Sequence, residues 1–147
     1  MRLLFNSKTA IFFSMLLASL SFSCGTSHRT LVLEKDWELL GQEKVDFVRD
    51  VDEIDVTSDN RFTAIKFKVE DRGVHINDLK VYFTNGDKLE PSLDDEIGTD
   101  QYSREIQLSP EGRLIDRIQF KYRTTGNVLK GRANVLVLGK RYNPYGY

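Results

Sequence analysis

The feature that most constrains the fold is an alternation of apolar and polar side chains with a period of two. The clearest alternating segments are 62–69, 79–83 and 118–122. In the first, Ile65, Phe67 and Val69 share one face and two lysines share the other. Successive side chains of a β-strand point to opposite faces, so each segment predicts a strand buried on one side. The run Asn134–Leu138 (NVLVL) is apolar on both faces and predicts a central strand.

Turn signals separate these segments. They lie at Ser58–Asn60, Asp71–Gly73, Asn85–Asp87, Ser109–Gly112 and Thr125–Asn127. Asn85-Gly86-Asp87 stands between the strand at 79–83 and Lys88-Leu89, which predicts a hairpin. We expect weaker strands at Trp37–Leu40, Val45–Val48 and Ile54–Val56, and a short helix over Pro91–Glu96.

The pattern predicts an all-β fold. Eight or nine short strands at a spacing of roughly ten residues are typical of antiparallel sandwiches and barrels. An apolar run such as Asn134–Leu138 suits a central strand between packed sheets. We therefore expect an antiparallel two-sheet sandwich, with a partly closed β-barrel as the alternative.

The N-terminus has the layout of a secretory signal. Arg2 and Lys8 precede the apolar run Ala10–Leu20, and the first acidic residue is Glu34. The run is about half the roughly 20 residues that a membrane-spanning helix needs. We interpret residues 1–23 as a signal peptide and expect the protein to be exported.

Cys24 follows the apolar run after the small residue Ser23, which resembles the lipobox of bacterial lipoproteins. The resemblance implies cleavage before Cys24 and acylation of its thiol, although Ser21 stands where that family usually has Leu. Cys24 is the only cysteine, so no internal disulfide can form, and lipidation would consume the free thiol. A soluble secreted protein cut by an ordinary signal peptidase is the alternative.

These observations predict four segments: a signal peptide (1–23), a lipid-anchored tether (24–36), a β-sandwich domain (37–140) and a flexible tail (141–147). Removing residues 1–23 leaves 19 basic and 22 acidic side chains, which is nearly neutral. Nucleic-acid binding requires a basic surface, so we expect no nucleic-acid partner. The expected partner is the membrane, through the lipid anchor.

Histidine chemistry has little support in the sequence. The two histidines are His28, in the predicted tether, and His75, which the alternation places on the exposed polar face of a strand. Neither a catalytic triad nor a zinc site can be assembled from this supply. We expect no catalytic residue, no zinc and no cofactor.

Acidic side chains are the next candidates. Asp50, Asp52 and Asp55 could contribute oxygen ligands to calcium, but they do not all alternate onto one face. A second cluster occupies 94–100. Charges that block pairing at a sheet edge explain such residues equally well. A carboxylate-based hydrolase would need two carboxylates about 5–10 Å apart in a cleft, which a domain of this size seldom offers.

Arginines and tyrosines form two further sets. Arg104, Arg113 and Arg117 could bind an anionic ligand or tie loops to neighbouring strands. The tail 141–147 holds three tyrosines, which could stack on sugar rings or on a partner protein. We expect Trp37, the only tryptophan, to pack in the core.

The spacing of core and turn residues is similar to that of a group of small, exported bacterial β-sandwich proteins of unknown function. The frame includes Leu40-Gly41, Asp52-x-Ile54-x-Val56, Val74-x-Ile76-x-x-Leu79-x-Val81-x-Phe83-x-Asn85-Gly86-Asp87, Ser103-Arg104-x-Ile106-x-Leu108 and Arg113-x-Ile115-x-x-Ile118-x-Phe120-x-Tyr122. The resemblance covers about residues 37–138. It implies the fold and export, and it supplies no catalytic residue or ligand.

We therefore expect a membrane-tethered envelope lipoprotein whose sandwich is non-enzymatic and binds an envelope partner or has a structural role. A glycan-binding module is the alternative, and a carboxylate-based hydrolase is the third hypothesis. Gly25 stands where many Gram-negative inner-membrane lipoproteins have Asp. We therefore expect the outer membrane or the cell surface, with a soluble periplasmic or secreted protein as the alternative.

Overall fold

The computed structural model describes residues 33–45, 51–124 and 132–146, which belong to one compact unit, Val32–Tyr147. The described residues form nine β-strands and no helix. The strands are β1 (Trp37–Val45), β2 (Val51–Asp55), β3 (Phe62–Glu70), β4 (Val74–Phe83), β5 (Lys88–Leu89), β6 (Asp95–Ile97), β7 (Ile106–Gln107), β8 (Ile115–Thr124) and β9 (Ala133–Arg141).

The strands form two antiparallel sheets. The four-stranded sheet has the order β1-β9-β3-β7, and the five-stranded sheet has the order β2-β8-β4-β5, with β6 also paired to β4. The described strands do not close into a barrel. The predicted two-sheet sandwich is therefore confirmed, and the barrel alternative is wrong.

The core lies between the two sheets. Phe67 of β3 and Phe120 of β8 are almost fully buried, and their ring centroids lie 5.6 Å apart in an edge-to-face arrangement. Val135 and Val137 of β9 belong to the same buried cluster. As predicted from its apolar run, β9 is central, since it pairs with both β1 and β3.

Turn chemistry is also largely as predicted. Gly86 adopts a positive φ of 87° in the turn between β4 and β5, where Tyr82 pairs with Lys88. The predicted helix over Pro91–Glu96 is wrong. Leu93 is buried in the core, and residues 95–97 form β6 on the edge of β4. Of residues 91–96, Leu93 alone is buried. An amphipathic helix would bury a whole stripe of side chains, whereas an extended segment can pack on the core through one side chain.

The outer face of the four-stranded sheet is more enclosed than the alternation predicts. Trp37 is buried, but it lies opposite Lys140 in the register, on the face that points away from the second sheet. Leu138 and Lys66 are buried on the same outer face. Trp37 is therefore buried as expected, but on the outer face of this sheet, because β9 carries apolar residues on both faces and the outer ones also require cover.

The two sheets approach closely at one edge. A Cβ on Gly41 of β1 would collide with Cγ2 of Ile54 of β2, so any other residue here would force Ile54 to shift. The strands adjacent to this contact are the edges of different sheets. Gly41 thus permits the sandwich to close over Ile54 along this side.

In the described part of the chain, no helix is long and apolar enough to cross a membrane. The predicted signal peptide, Cys24 and most of the predicted tether lie outside the described residues. β1 begins at Trp37, where the domain was predicted to start, and β9 ends at Arg141. The predicted tail is described to Gly146, and its first residue is the last of β9.

Candidate functional site

The three arginines predicted from the sequence each contact a loop or a neighbouring strand. Arg104 Nη2 donates to the Ser92 carbonyl oxygen at 2.5 Å, and its Nε lies 3.4 Å from Asp95 Oδ1. Arg104 therefore fastens the segment before β6. This arrangement is one of the two roles that the sequence left open.

Arg113 lies at the β4–β5 turn. Its guanidinium stacks on the Phe83 ring, 3.6 Å from the centroid, and its Nη2 donates to Asp87 Oδ2 at 2.5 Å. The Asn85 side chain and Arg113 both donate to Asp87, and together they hold the pKa of Asp87 below its ordinary value of 3.8. The turn that the sequence predicted is thus held by an ionised carboxylate.

Arg117 lies on the outer face of the five-stranded sheet. Its guanidinium stacks 4.2 Å from the Tyr82 ring centroid, and its Nε lies 3.4 Å from Glu53 Oε2. The three arginines do not converge on one site. Asp95, the partner of Arg104, lies opposite Ile76 of β4. Phe83, on which Arg113 stacks, lies seven residues further along the same strand, which is about 23 Å at the rise of a strand.

The candidate calcium ligands are also separated. Asp52 and Asp55 lie on β2, where the alternation directs them to opposite faces, and Asp50 lies outside the described residues. Among the described residues, no group of three or more histidine, cysteine or acidic side chains is arranged to hold a metal ion. The calcium hypothesis thus gains no geometric support from Asp52 and Asp55.

His75 is more enclosed than predicted. Its side chain is only 14% exposed, and Nε2 lies 2.5 Å from Asp94 Oδ1. The expectation of an exposed strand histidine is therefore wrong. The segment before β6 covers this part of β4. The sequence pattern did not indicate this cover, because the segment was predicted to be a helix.

A different surface, at one end of the sandwich, brings together side chains that the sequence did not group. Here the start of β1, the start of β3 and the end of β9 lie side by side. The Arg141 amide N–H donates to the Asp36 carbonyl oxygen at 2.8 Å, and the Tyr142 amide N–H donates to the Arg61 carbonyl oxygen at 2.7 Å. Asp36 has a φ of 68°. This conformation is costly for most residues but tolerated by Asp.

Two clefts flank the segment Arg141–Asn143 on this end. One has a volume of about 390 Å³ and the other about 240 Å³, and both are open to solvent. The first is comparable with small ligand sites, for which a few hundred Å³ is usual. We call the charged and aromatic residues that line the two clefts the Tyr142 surface. They are Lys35, Asp36, Arg61, Lys140, Arg141 and Tyr142.

The Tyr142 surface is locally cationic. Its described lining includes four basic side chains and one carboxylate, Asp36. One of the four, Lys140, is already paired, because its Nζ lies 3.5 Å from Glu105 Oε2. Arg61 is committed to the fold, because its Nε and Nη2 donate to the Gly112 carbonyl oxygen at 3.0 and 2.8 Å. The guanidinium of Arg141, an exposed residue, makes no hydrogen bond or ion pair with a described residue.

Tyr142 packs closely against the backbone of Gly112. Gly112 has a φ of 64°, and a Cβ there would lie 2.6 Å from Tyr142 Cβ. The Arg61 guanidinium lies 5.9 Å from the Tyr142 ring centroid on the same surface. Tyr142 is 38% exposed and Tyr145 is 73% exposed, so both rings are accessible to a ligand.

The sequence contained part of this arrangement. The sequence predicted residues 141–147 as a flexible tail and offered stacking by its tyrosines as an alternative, but it did not connect Lys35, Asp36 and Arg61 with them. No local pattern could connect them, because the register of β9 against β1 and β3 brings the three chain segments together. The Ser109–Gly112 turn signal was the only hint that the chain folds back at this place.

A second arrangement that the sequence missed lies on the outer face of the four-stranded sheet. Lys66 Nζ lies 4.1 Å from the Trp37 ring centroid and 4.6 Å from that of Tyr102. It also pairs with Glu34 Oε1 at 3.1 Å. The ammonium is thus placed between two aromatic faces, although only 6% of the residue is exposed.

A family model described as a domain of unknown function, DUF2541, matches residues 11–139. The chain belongs to this family. The DUF2541 match covers most of the chain and stops before Lys140, so Arg141 and Tyr142 lie beyond it. No curated protein and no solved structure matches the chain.

Proposed function

We propose that this DUF2541 protein is an exported, lipid-anchored envelope protein whose β-sandwich binds a ligand through the Tyr142 surface and catalyses no reaction. The observation that carries the proposal is the combination of four cations, an exposed tyrosine and one carboxylate around two open clefts. Such a set can hold an anionic group and stack on an apolar or ring-shaped one.

The composition of the clefts favours binding over catalysis. General acid–base or nucleophilic chemistry needs an activated group with a partner in hydrogen-bond reach. Among the described residues that line the two clefts there is no histidine or cysteine, and Asp36 is the one carboxylate. A carboxylate-based hydrolase would need a second carboxylate facing the first.

The tether is supported by the sequence. The lipobox-like Cys24 follows a short apolar run, and the described domain begins nine positions later, at Leu33. Fractionation of the native host tests this part of the proposal. The wild type is expected in the membrane fraction and Cys24→Ser in the soluble fraction or as uncleaved precursor. A wild type recovered entirely as soluble mature protein would refute the anchor.

A glycan-binding module is the second candidate, because the exposed ring of Tyr142 lines a cleft together with amide and guanidinium donors, and the exposed Tyr145 follows three residues later. A glycan array probed with the protein tests it. Binding of a defined saccharide that is lost in Tyr142→Ser and kept in Tyr82→Ser would support this candidate. Tyr82 is a suitable control because it lies on the outer face of the other sheet.

A further inference from the structure

We propose that the ligand of the Tyr142 surface is the anionic phospholipid headgroup layer of the membrane that holds the chain. This inference rests on the proposed function for the anchor at Cys24. It adds an orientation, since the β-sandwich would stand with the Tyr142 surface facing the bilayer and the opposite end directed away.

The length of the tether limits where this surface can lie. Leu33 is nine positions beyond Cys24, and nine residues span no more than about 30 Å however they run. Lys35 and Asp36 follow directly and line the larger cleft. The Tyr142 surface is therefore built at the point where the anchored chain enters the domain, and diffusion away from the headgroups is restricted.

The charges of the surface suit anionic headgroups. The guanidinium of Arg141 is exposed and forms no ion pair with a described residue. Glu34 and Asp87 are neutralised by cations outside the surface, since they pair with Lys66 and Arg113. Lys140 of the surface is itself paired with Glu105, which leaves Lys35 and Arg141 as the cations whose side chains make no hydrogen bond or ion pair with a described residue. Basic side chains near an anionic leaflet are attracted by its surface potential, which decays within a Debye length.

The remaining acids predict a weak attraction. Asp59 and Glu111 are exposed in the turns of the same end. Attraction that is partly cancelled in this way is insufficient to hold a soluble protein on a membrane. It is sufficient to orient a domain that a lipid anchor already keeps close, because the second contact is then intramolecular.

Apolar exposure points to the same partner. Seven large hydrophobic side chains of the described residues are exposed, and three of them, Leu114, Tyr142 and Tyr145, lie at this end. Leu114 lines a third cleft of about 230 Å³ that shares Arg61 with the Tyr142 surface. Tyrosines flanked by cations and a few aliphatic side chains are the composition that favours the interface between headgroups and acyl chains. A saccharide site would not require Leu114.

The test uses the acylated protein reconstituted into two kinds of lipid nanodisc, one of phosphatidylcholine and one of an equal mixture of phosphatidylcholine and phosphatidylglycerol. Because acylation consumes the thiol of Cys24, a cysteine introduced by Pro144→Cys is the only free thiol. Its rate of reaction with a water-soluble maleimide reports how open the Tyr142 surface is. Val51→Cys serves as the control, since Val51 is 40% exposed and begins β2 at the opposite end.

We expect the reaction at Pro144→Cys to be several-fold slower in the anionic discs than in the neutral ones, and the difference to disappear in high salt. Val51→Cys should react equally in both. Adding Arg141→Gln should reduce the slowing by up to about five-fold, which corresponds to about 1 kcal/mol for one cation at an anionic surface. Arg132→Gln is the matched control, because Arg132 is an exposed arginine at the other end of β9. It should leave the slowing unchanged.

Equal rates at Pro144→Cys in the two discs would overturn the inference, as would equal effects of Arg141→Gln and Arg132→Gln. Slowing in neutral discs on addition of a soluble acidic saccharide, without slowing in anionic discs, would also overturn it and assign the surface to a glycan. Failure of the proposed anchor looks different, because the protein would then not associate with neutral discs at all.

Discussion

The Arg141 amide N–H donates to the Asp36 carbonyl oxygen at 2.8 Å, which joins the end of β9 to the residue before β1. The chain thus enters and leaves the sandwich at the same place. Side chains that are more than a hundred positions apart in sequence come together there without any loop built for the purpose. The two outermost hydrogen bonds of β9 position the Tyr142 surface, so this surface depends on the stability of the central strand.

The contact between Gly112 and Tyr142 leads to the first prediction. Alanine at Gly112 would adopt a positive φ and would also bring its Cβ to 2.6 Å from Tyr142 Cβ. Gly86→Ala has the same backbone cost at a φ of 87°, but its Cβ would meet nothing within 4 Å. We expect Gly112→Ala to lower the free energy of unfolding by about 1–3 kcal/mol more than Gly86→Ala does.

Urea denaturation of both variants measures this difference, and the maleimide rate at Pro144→Cys shows whether the Tyr142 segment has moved. Equal losses in the two variants would mean that Tyr142 shifts at no cost and is not held by Gly112.

The pKa of Asp87 leads to a prediction about acid stability. Hydrogen bonds from Asn85 and Arg113 lower this pKa below 3.8 in the folded protein. A carboxyl group with a depressed folded pKa contributes stability that is complete above its unfolded pKa and is lost as the pH falls through the folded value. Wild type should therefore be more stable than Asp87→Asn at neutral pH, and the difference should shrink as the pH falls below about 4.

Thermal unfolding followed from pH 7 to pH 2.5 measures this convergence. Asp59→Asn is a suitable control, because Asp59 is an exposed aspartate of the same end. A difference between wild type and Asp87→Asn that persists unchanged at the lowest pH would contradict the assignment of the contact to the ionised carboxylate.

Sequence alternation reports the burial of one face of a strand, whereas local composition does not report which strand edge a segment will pair with. The alternation in β3, β4 and β8 predicted strands correctly because one face of each strand packs in the core, although Lys66 on the outer face of β3 is buried as well. A different signal failed for residues 91–96, where a proline followed by acids suggested a helix although Leu93 is buried in the core. Composition alone could not reveal that the neighbouring edge of β4 offers a backbone partner.

The site was harder to predict than the fold. The arginines selected from the sequence each bind a nearby loop or strand, whereas Arg61 and Lys35 were not identified as candidate site residues. Their role depends on the strand order β1-β9-β3, which is not encoded by any local pattern. Lys66 was predicted on a polar face, and its burial follows from Trp37 and Tyr102, which approach it from other chain segments.

Lys66 leads to the third prediction. Met has a similar apolar stem but no charge, so Lys66→Met removes the contacts of the ammonium with Trp37, Tyr102 and Glu34 while the cover over Leu138 remains. Each desolvated cation–π contact contributes about 0.5–2 kcal/mol, which is offset in part by the cost of burying the charge. We expect a net loss of about 1 kcal/mol in the free energy of unfolding.

Urea denaturation monitored by the fluorescence of Trp37, the only tryptophan, measures this loss and also reports the altered ring environment. Lys44→Met, at an exposed position near the far end of β1, should change stability by less than about 0.5 kcal/mol. A Lys66→Met protein as stable as wild type would show that the ammonium contributes nothing beyond its apolar stem.

The most direct test of the central claim is the intact mass of the mature protein purified from its native membrane fraction. We expect a mass equal to that of residues 24–147 plus acyl chains. This mass would establish Cys24 as the anchor, and the anchor would keep the Tyr142 surface within reach of the headgroups. A mass without lipid, recovered from the soluble fraction, would contradict the account, because nothing would then keep this surface at a membrane.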